Sequence, residues 1–358
     1  MRRQPGETEL ADLALSLVNI ASVSRDEQDV TAWIADRVAH LPGVGIMHRQ
    51  ADAIVFGPPG VPDVVLAGHS DTVPEQGNLP GRLVDDQVHG LGASDMKGSL
   101  AVMLALAGEL HALPLQLSPL FVIFGREELS LAESVLEGLF TSCASILQSS
   151  LAIMMEPTAN RLEAGCLGNI QATLEFSGVA AHSARPWLGV NAIHEAVRGL
   201  SRVADSRPEE VFLDGLTFRE VLSVTEIAGG IANNVIPDRV TCGLNFRYAG
   251  HRSPAQAEAR LHELVGTAGE LRIESNAPAA PAALENALLQ RLRSAGGLAV
   301  EPKQAWTPVA EFAARGLDAV NFGPGDPQLA HRRDERVGVS AMTDTLTILR
   351  RFLCSRIP

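Results

Sequence analysis

The chain has 358 residues, 46% of them hydrophobic and 20% charged, which is enough for two domains of roughly 100 to 200 residues each. A net charge of −13 argues against nucleic acid or an anionic membrane surface as partner. Cys143, Cys166, Cys242 and Cys354 stand far apart with no C-x-x-C pair, which suits reduced thiols in a cytoplasmic protein better than a disulfide framework.

Met1-Arg2-Arg3 is basic, but Gln4-Pro5-Gly6-Glu7 follows where a leader needs an apolar core, so no export signal is expected. Leu10, Leu13, Leu17 and Ile20 recur at helical spacing, as do Val30, Ile34 and Val38, predicting two opening helices. Residues 54–67 read as strand, turn and strand around Gly57-Pro58-Pro59-Gly60, and the second strand runs into His69-Ser70-Asp71. Side chains alternate along a strand, so His69 and Asp71 share a side and Asp71 can hold the imidazole. A second acid, Asp95, follows a glycine-rich turn and precedes the apolar helical pattern of 98–110, too short for the ~18 or more residues of a membrane span. Taken alone, this stretch reads equally as a metal site or as a loop histidine and a helix N-cap.

The apolar runs 117–124 and 151–155 have strand length and end in Glu127-Glu128 and in Glu156-Pro157. Alternating apolar strands and helices predict an α/β domain, a largely parallel sheet covered on both faces, with ligands beyond the strands' carboxyl ends. His69, Glu127, Glu128 and Glu156 all fall there, which favours the metal reading.

From about residue 173 the texture becomes that of half-exposed strands (173–176, 222–227, 240–247) with helices at 190–203 and 254–265, an inserted α+β unit with an antiparallel sheet. A Pro/Ala-rich stretch at 277–281 reads as the return linker. The expected division is therefore 1–172 and 282–358 for a catalytic domain and 173–281 for an inserted lid and dimerisation domain. A strand at 319–322, the turn Gly323-Pro324-Gly325, the run His331-Arg332-Arg333-Asp334-Glu335 and a helix over 340–352 complete the chain.

The set Gly68-His69-Ser70-Asp71-Thr72-Val73-Pro74, Gly90-x-Gly92-x-x-Asp95-Met96-Lys97-Gly98, Glu127-Glu128, Glu156-Pro157 and His331-x-x-Asp334-Glu335 resembles the two-zinc amidohydrolase superfamily of aminoacylase, acetylornithine deacetylase and carboxypeptidase G. Stretches 77–80, 181–194 and 321–327 most resemble its succinyl-diaminopimelate desuccinylase branch. The resemblance implies two Zn²⁺ per chain, Co²⁺ or Mn²⁺ also serving, with His69 and Glu156 on one, Glu128 and His331 on the other, and Asp95 bridging. It implies Glu127 as general base, Asp71 behind His69, and His182 donating to the oxyanion in a partner subunit's site. Asn233, Asn234 and Arg247 would bind the acyl carboxylate, with the backbone at Gly323 and Gly325 close to the ligand. A homodimer formed through the inserted domain, acting on a small N-acylated amino acid, is the implied assembly. An acetylornithine deacetylase, aminoacylase or dipeptidase on the same scaffold is the alternative, and an inactive binding homologue a second.

Two departures from the family pattern bear on substrate. Pro308 stands where an Asp is usual, with Glu311 a candidate substitute. Arg126 precedes the Glu pair, where a cation would be expected to lower the pKa of Glu127.

Overall fold

The computed structural model describes residues 5–355. The basic start Met1-Arg2-Arg3 lies outside these described residues. The chain divides into two compact units: the described residues up to Gly165 with Ala282–Glu301 and everything from Glu311, and a second unit of Cys166–Pro281 with Pro302–Ala310. Strand Gly168–Ser177 thus crosses the expected boundary at 172/173, because it pairs along its whole length with Arg239–Tyr248. The stretch 302–310, assigned from sequence to the catalytic part, lies in the second unit, where Leu167 donates its N–H to Ala305 O and Trp306 Nε1 donates to Pro278 O.

The first unit carries an eight-stranded sheet in the order Gly45–Gln50, Ala53–Gly57, Pro119–Phe124, Val64–His69, Leu151–Met154, Ala319–Asn321, Leu162–Ala164, Val300–Pro302. Its four central strands are parallel, while Gly45–Gln50, Ala53–Gly57 and Leu162–Ala164 pair antiparallel. The expected largely parallel sheet is thus a mixed one with a parallel centre. Every residue of Val64–His69, Pro119–Phe124 and Leu151–Met154 is buried. Since alternate side chains point to opposite faces, both faces are covered. Helix Gly98–Glu109, buried from Gly98 to Ala107, packs on Val64–His69 and lies against helices Pro5–Val18 and Val339–Cys354. Its close approach depends on Gly68, where a Cβ would lie 2.6 Å from Met96 Cε and 3.1 Å from Leu100 Cδ2. Because the central strands run parallel, His69, Phe124 and Met154 end at one edge of the sheet, and the residues that follow them are delivered to the same place.

The second unit is a five-stranded antiparallel sheet in the order Glu209–Leu213, Leu216–Gly229, Arg239–Tyr248, Gly168–Ser177, Glu270–Ala277. Burial alternates along Gly168–Ser177 and Arg239–Tyr248, and their inward residues Leu174, Phe176, Leu244 and Phe246 pack with Ala196 and Leu261 of helices Ala192–Ala204 and Pro254–Val265. Both helices start at side-chain caps, Asn191 on the N–H groups of Ile193 and His194, and Ser253 with Gln256 in a reciprocal capping box. Among the described residues no helix is long and apolar enough to cross a membrane.

Candidate metal centre

Strand Val64–His69 ends on His69, and Asp71 lies behind its ring. His69 Nδ1 lies 3.1 Å from the Asp71 backbone O and 3.4 Å from Asp71 Oδ1. With two acceptors on that side, Nδ1 donates there, which leaves Nε2 as the nitrogen that would bind a metal. Asp71 is fully buried and has no spare capacity: Oδ1 accepts the Glu127 N–H (3.1 Å), while Oδ2 accepts the Glu128 N–H (3.2 Å) and the Ser24 hydroxyl (2.7 Å). One carboxylate therefore orients the histidine and fixes the backbone of the Glu pair.

The Glu pair is turned inward by Arg126, whose φ of 62° breaks the strand's alternation. That turn also sends the guanidinium away, to Asp52 Oδ2 at 2.9 Å, with the Arg126 N–H donated to Glu27 Oε1. The expected lowering of the Glu127 pKa is therefore corrected. Burial and then Glu156, with Glu128 and Asp95 adding, hold the Glu127 carboxyl well above the usual range, opposed by His69.

Asp95 sits between the two histidines. Its Oδ1 lies 3.0 Å from His69 Nε2 and its Oδ2 3.6 Å from His331 Nε2, and His331 Nε2 is 2.8 Å from Glu128 Oε1. The ligand atoms of His69, Asp95 and Glu156 lie within 4.8 Å of one another, as do those of Asp95, Glu128 and His331, and those of His69, Glu127 and Glu128. Glu156, delivered by strand Leu151–Met154, is buried, whereas His331 is half-exposed. Two overlapping sets of one imidazole and two carboxylates, sharing Asp95, fit a pair of divalent ions, and this nitrogen and oxygen mixture suits Zn²⁺. The carboxylates already polarise the imidazoles. The hydrogen bond with Glu128 raises the His331 pKa to about 9. Against its burial, Asp71 and Asp95 raise that of His69, and the Asp71 carboxyl, which burial pushes up, is brought below its ordinary value by His69.

Gly323 and Gly325, expected to lie close to a ligand, also lie close to the protein's own backbone. A Cβ at Gly323 would lie 2.5 Å from Glu156 O, and one at Gly325 2.2 Å from Ser94 O, while the Gly323 N–H is donated to Thr158 Oγ1. These glycines let the turn pack against the segments bearing Glu156 and Asp95. Glu311 accepts the Ser134 hydroxyl at 2.6 Å, and burial raises its pKa to about 7.

His182, Asn233, Asn234 and Arg247 belong to the second unit. His182 is exposed on a two-residue strand paired with Val235–Ile236, and the Ser183 N–H is donated to Asn234 O. The Ala184 N–H donates to His182 Nδ1 at 3.0 Å, which fixes the tautomer with the proton on Nε2, facing outward. Arg247 is half-buried and donates Nε–H to Asn245 Oδ1, and Asn245 Nδ2 donates to Asn169 Oδ1. Among the described residues Arg247 has no carboxylate partner.

Four polar residues around the centre were given no role from sequence. Glu27 receives the Arg25 and Arg126 N–H groups, Ser24 the Asp71 contact, and Lys97 donates to Ile20 O while burial draws its pKa down to about 8. Glu335 accepts three backbone N–H groups of the loop before Asp95. Glu335 belongs to the His331-x-x-Asp334-Glu335 motif, but nothing local says what it touches.

A model of peptidase family M20/M25/M40 matches residues 65–355. A protein of Mycobacterium tuberculosis, provisionally named succinyl-diaminopimelate desuccinylase DapE, is 42% identical over 356 residues, 96% of this chain and 97% of that one. Succinyl-diaminopimelate desuccinylase of Corynebacterium glutamicum is 37% identical over 362 residues, 98% of each chain. Among solved structures, a tripeptidase from Staphylococcus aureus matches with a TM-score of 0.79 at 20% identity, covering 97% of both chains.

Proposed function

The chain belongs to peptidase family M20/M25/M40, a metal-dependent amidohydrolase, and from that premise we propose that it hydrolyses N-succinyl-L,L-2,6-diaminopimelate to succinate and L,L-2,6-diaminopimelate, a step toward lysine and cell-wall precursors. The observation that carries the chemistry is Asp95, whose two oxygens address His69 and His331 separately. His69 and Glu156 would hold one Zn²⁺, Glu128 and His331 a second, and Asp95 both. Such a pair polarises an amide carbonyl and lowers the pKa of a water toward about 7.

Glu127 takes the proton of the attacking water and returns it to the departing amine. A Glu127 carboxylate oxygen lies within 4.8 Å of ligand atoms of His69 and Glu128, which puts a proton acceptor beside the candidate metal ligands. Asp71 keeps the His69 tautomer and the backbone of the Glu pair in place. His182, with Nε2–H facing outward, donates to the tetrahedral oxyanion. Arg247, its Nε tied to Asn245, turns the rest of its fork to the succinyl carboxylate, and Asn233 and Asn234 lie on the turn beside His182.

The active form is a cytoplasmic homodimer in which His182 serves the partner copy's site. Strand Leu216–Gly229 supports this, since Glu209–Leu213 pairs with it only as far as Glu220 and its outer edge is unpaired beyond that among the described residues. Val224, Ile227 and Ile231 are exposed there, and helix Ala192–Ala204 exposes Ile193 and Val197. An open edge beside apolar side chains fits a second copy. The reading is tested by succinate release from purified protein. Release should stop on chelation and return with Zn²⁺, and release that survives thorough chelation would overturn it.

A further inference from the structure

We propose that Glu335 is a positioning residue for the metal-bridging Asp95, and that it locks the spacing between Asp95 and His331. The inference rests on the reading of Asp95 as a shared ligand. The Asp95 loop has little intrinsic shape. Gly90 and Gly92 occupy φ values of 148° and 75°, and residues without a Cβ leave a chain free to take many other conformations. One buried carboxylate gathers three of its N–H groups. Glu335 Oε2 accepts the Gly92 N–H at 2.9 Å, and Oε1 accepts the N–H groups of Ser94 at 2.9 Å and Asp95 at 3.0 Å. The Glu335 backbone O accepts the Gly90 N–H at 3.1 Å as well.

Hydrogen bonds from N–H groups to a carboxylate are stronger than those to a neutral acceptor, and three of them converging out of water define a loop's position closely. The same short segment carries His331, which stands at φ 59°, a conformation that a histidine holds only with support from its surroundings. That support includes the turn in which the Glu335 N–H is donated to Arg332 O, and the pairing of Arg336 with His89. Glu335 thus ties the ligand four residues before it to the ligand whose backbone N–H it holds. A carboxylate is required. Glutamine has the same shape but presents an NH₂ group where one side of the carboxylate accepts N–H, so it sets donor against donor.

The test measures Zn²⁺ affinity by chelator competition and the absorption of the Co²⁺-substituted protein for wild type, Glu335→Gln and Asp95→Asn, beside the melting of each metal-free chain. We expect Glu335→Gln to weaken binding at both positions by at least about 10-fold, the lower end for partners that orient metal ligands. The Co²⁺ bands should shift, while the metal-free chain still melts cooperatively. Wild-type affinity and spectrum in Glu335→Gln, or weakening at one position alone, would overturn the proposal. If Asp95→Asn binds both ions as wild type does, the reading of the centre fails instead. Should Glu335→Gln not fold, amide exchange in metal-free wild type decides. Slow exchange at Gly92, Ser94 and Asp95 supports the clamp, and exchange at the rate of an open loop refutes it.

Discussion

Glu127→Gln separates proton transfer from metal binding. Glutamine keeps the side chain's length and volume, and the hydrogen bond that fixes this position runs from the Glu127 backbone N–H to Asp71 Oδ1, so it is untouched. The carboxylate is the buried end of a half-buried residue, and its neighbours Glu156, Glu128 and Asp95 all raise its proton affinity. Replacing it removes one negative charge from a cluster that repels itself, so the fold and the metal content should be unaffected. What is lost is the carboxylate assigned to accept the water's proton. General-base loss typically lowers rates by about 10²- to 10⁴-fold, or about 2.7 to 5.5 kcal/mol in the barrier, and kcat should fall at least that far. The assay is succinate release with saturating Zn²⁺, with elemental analysis of the same sample. Near wild-type kcat with full metal would refute the assignment, and loss of metal in proportion to activity would make Glu127 a ligand.

Because Asp95 is common to both ligand sets, Asp95→Ala should lose both ions, whereas His331→Ala should keep close to one per chain against two in wild type, as read by elemental analysis. Chains carrying His182→Ala and chains carrying Glu127→Gln, each inactive, should regain activity after subunit exchange, since one site of the heterodimer then has both residues intact; no recovery from proven heterodimers would place His182 in its own chain's site. Glu311 has a folded pKa of about 7 against an ordinary 4.5, so its ionisation costs stability as pH rises from 4.5 through about 7. Glu311→Gln should therefore melt higher than wild type at pH 8, with the gap closing by pH 5, and an equal gap at both pH values would count against the burial of that carboxyl.

The gathering of His69, Glu128 and Glu156 was legible because each follows an apolar strand, and parallel strands deliver such ends to one place. Helix Pro254–Val265 was legible from its apolar spacing. Strand Gly45–Gln50 was not, being an edge strand with no buried residue in it, and Glu270–Ala277 was missed beside a Pro/Ala-rich stretch that reads as linker. Arg126 shows the limit of arguing from sequence neighbours: a left-handed φ at one residue sends the cation to Asp52 instead of Glu127. Gly323 and Gly325 were recognised as necessary glycines, and the protein's own backbone packs close to both. Glu335 and Glu27 were beyond reach for a plainer reason. Glu335 holds N–H groups about 240 residues away and Glu27 one 99 residues away, and nothing in local composition marks a carboxylate that will accept them.

Desuccinylation is tested by kcat/KM, side by side, for N-succinyl-L,L-2,6-diaminopimelate, N-acetylornithine and a dipeptide with Zn²⁺ present. A succinyl group ends in a carboxylate that an acetyl group lacks, and leaving Arg247 desolvated without it is costly. The succinylated substrate should therefore be favoured over the acetylated one by at least about 10²-fold, about 2.7 kcal/mol, and Arg247→Lys should erode most of that gap because an ammonium cannot reproduce the forked contact. A higher kcat/KM for N-acetylornithine or for the dipeptide would contradict the account.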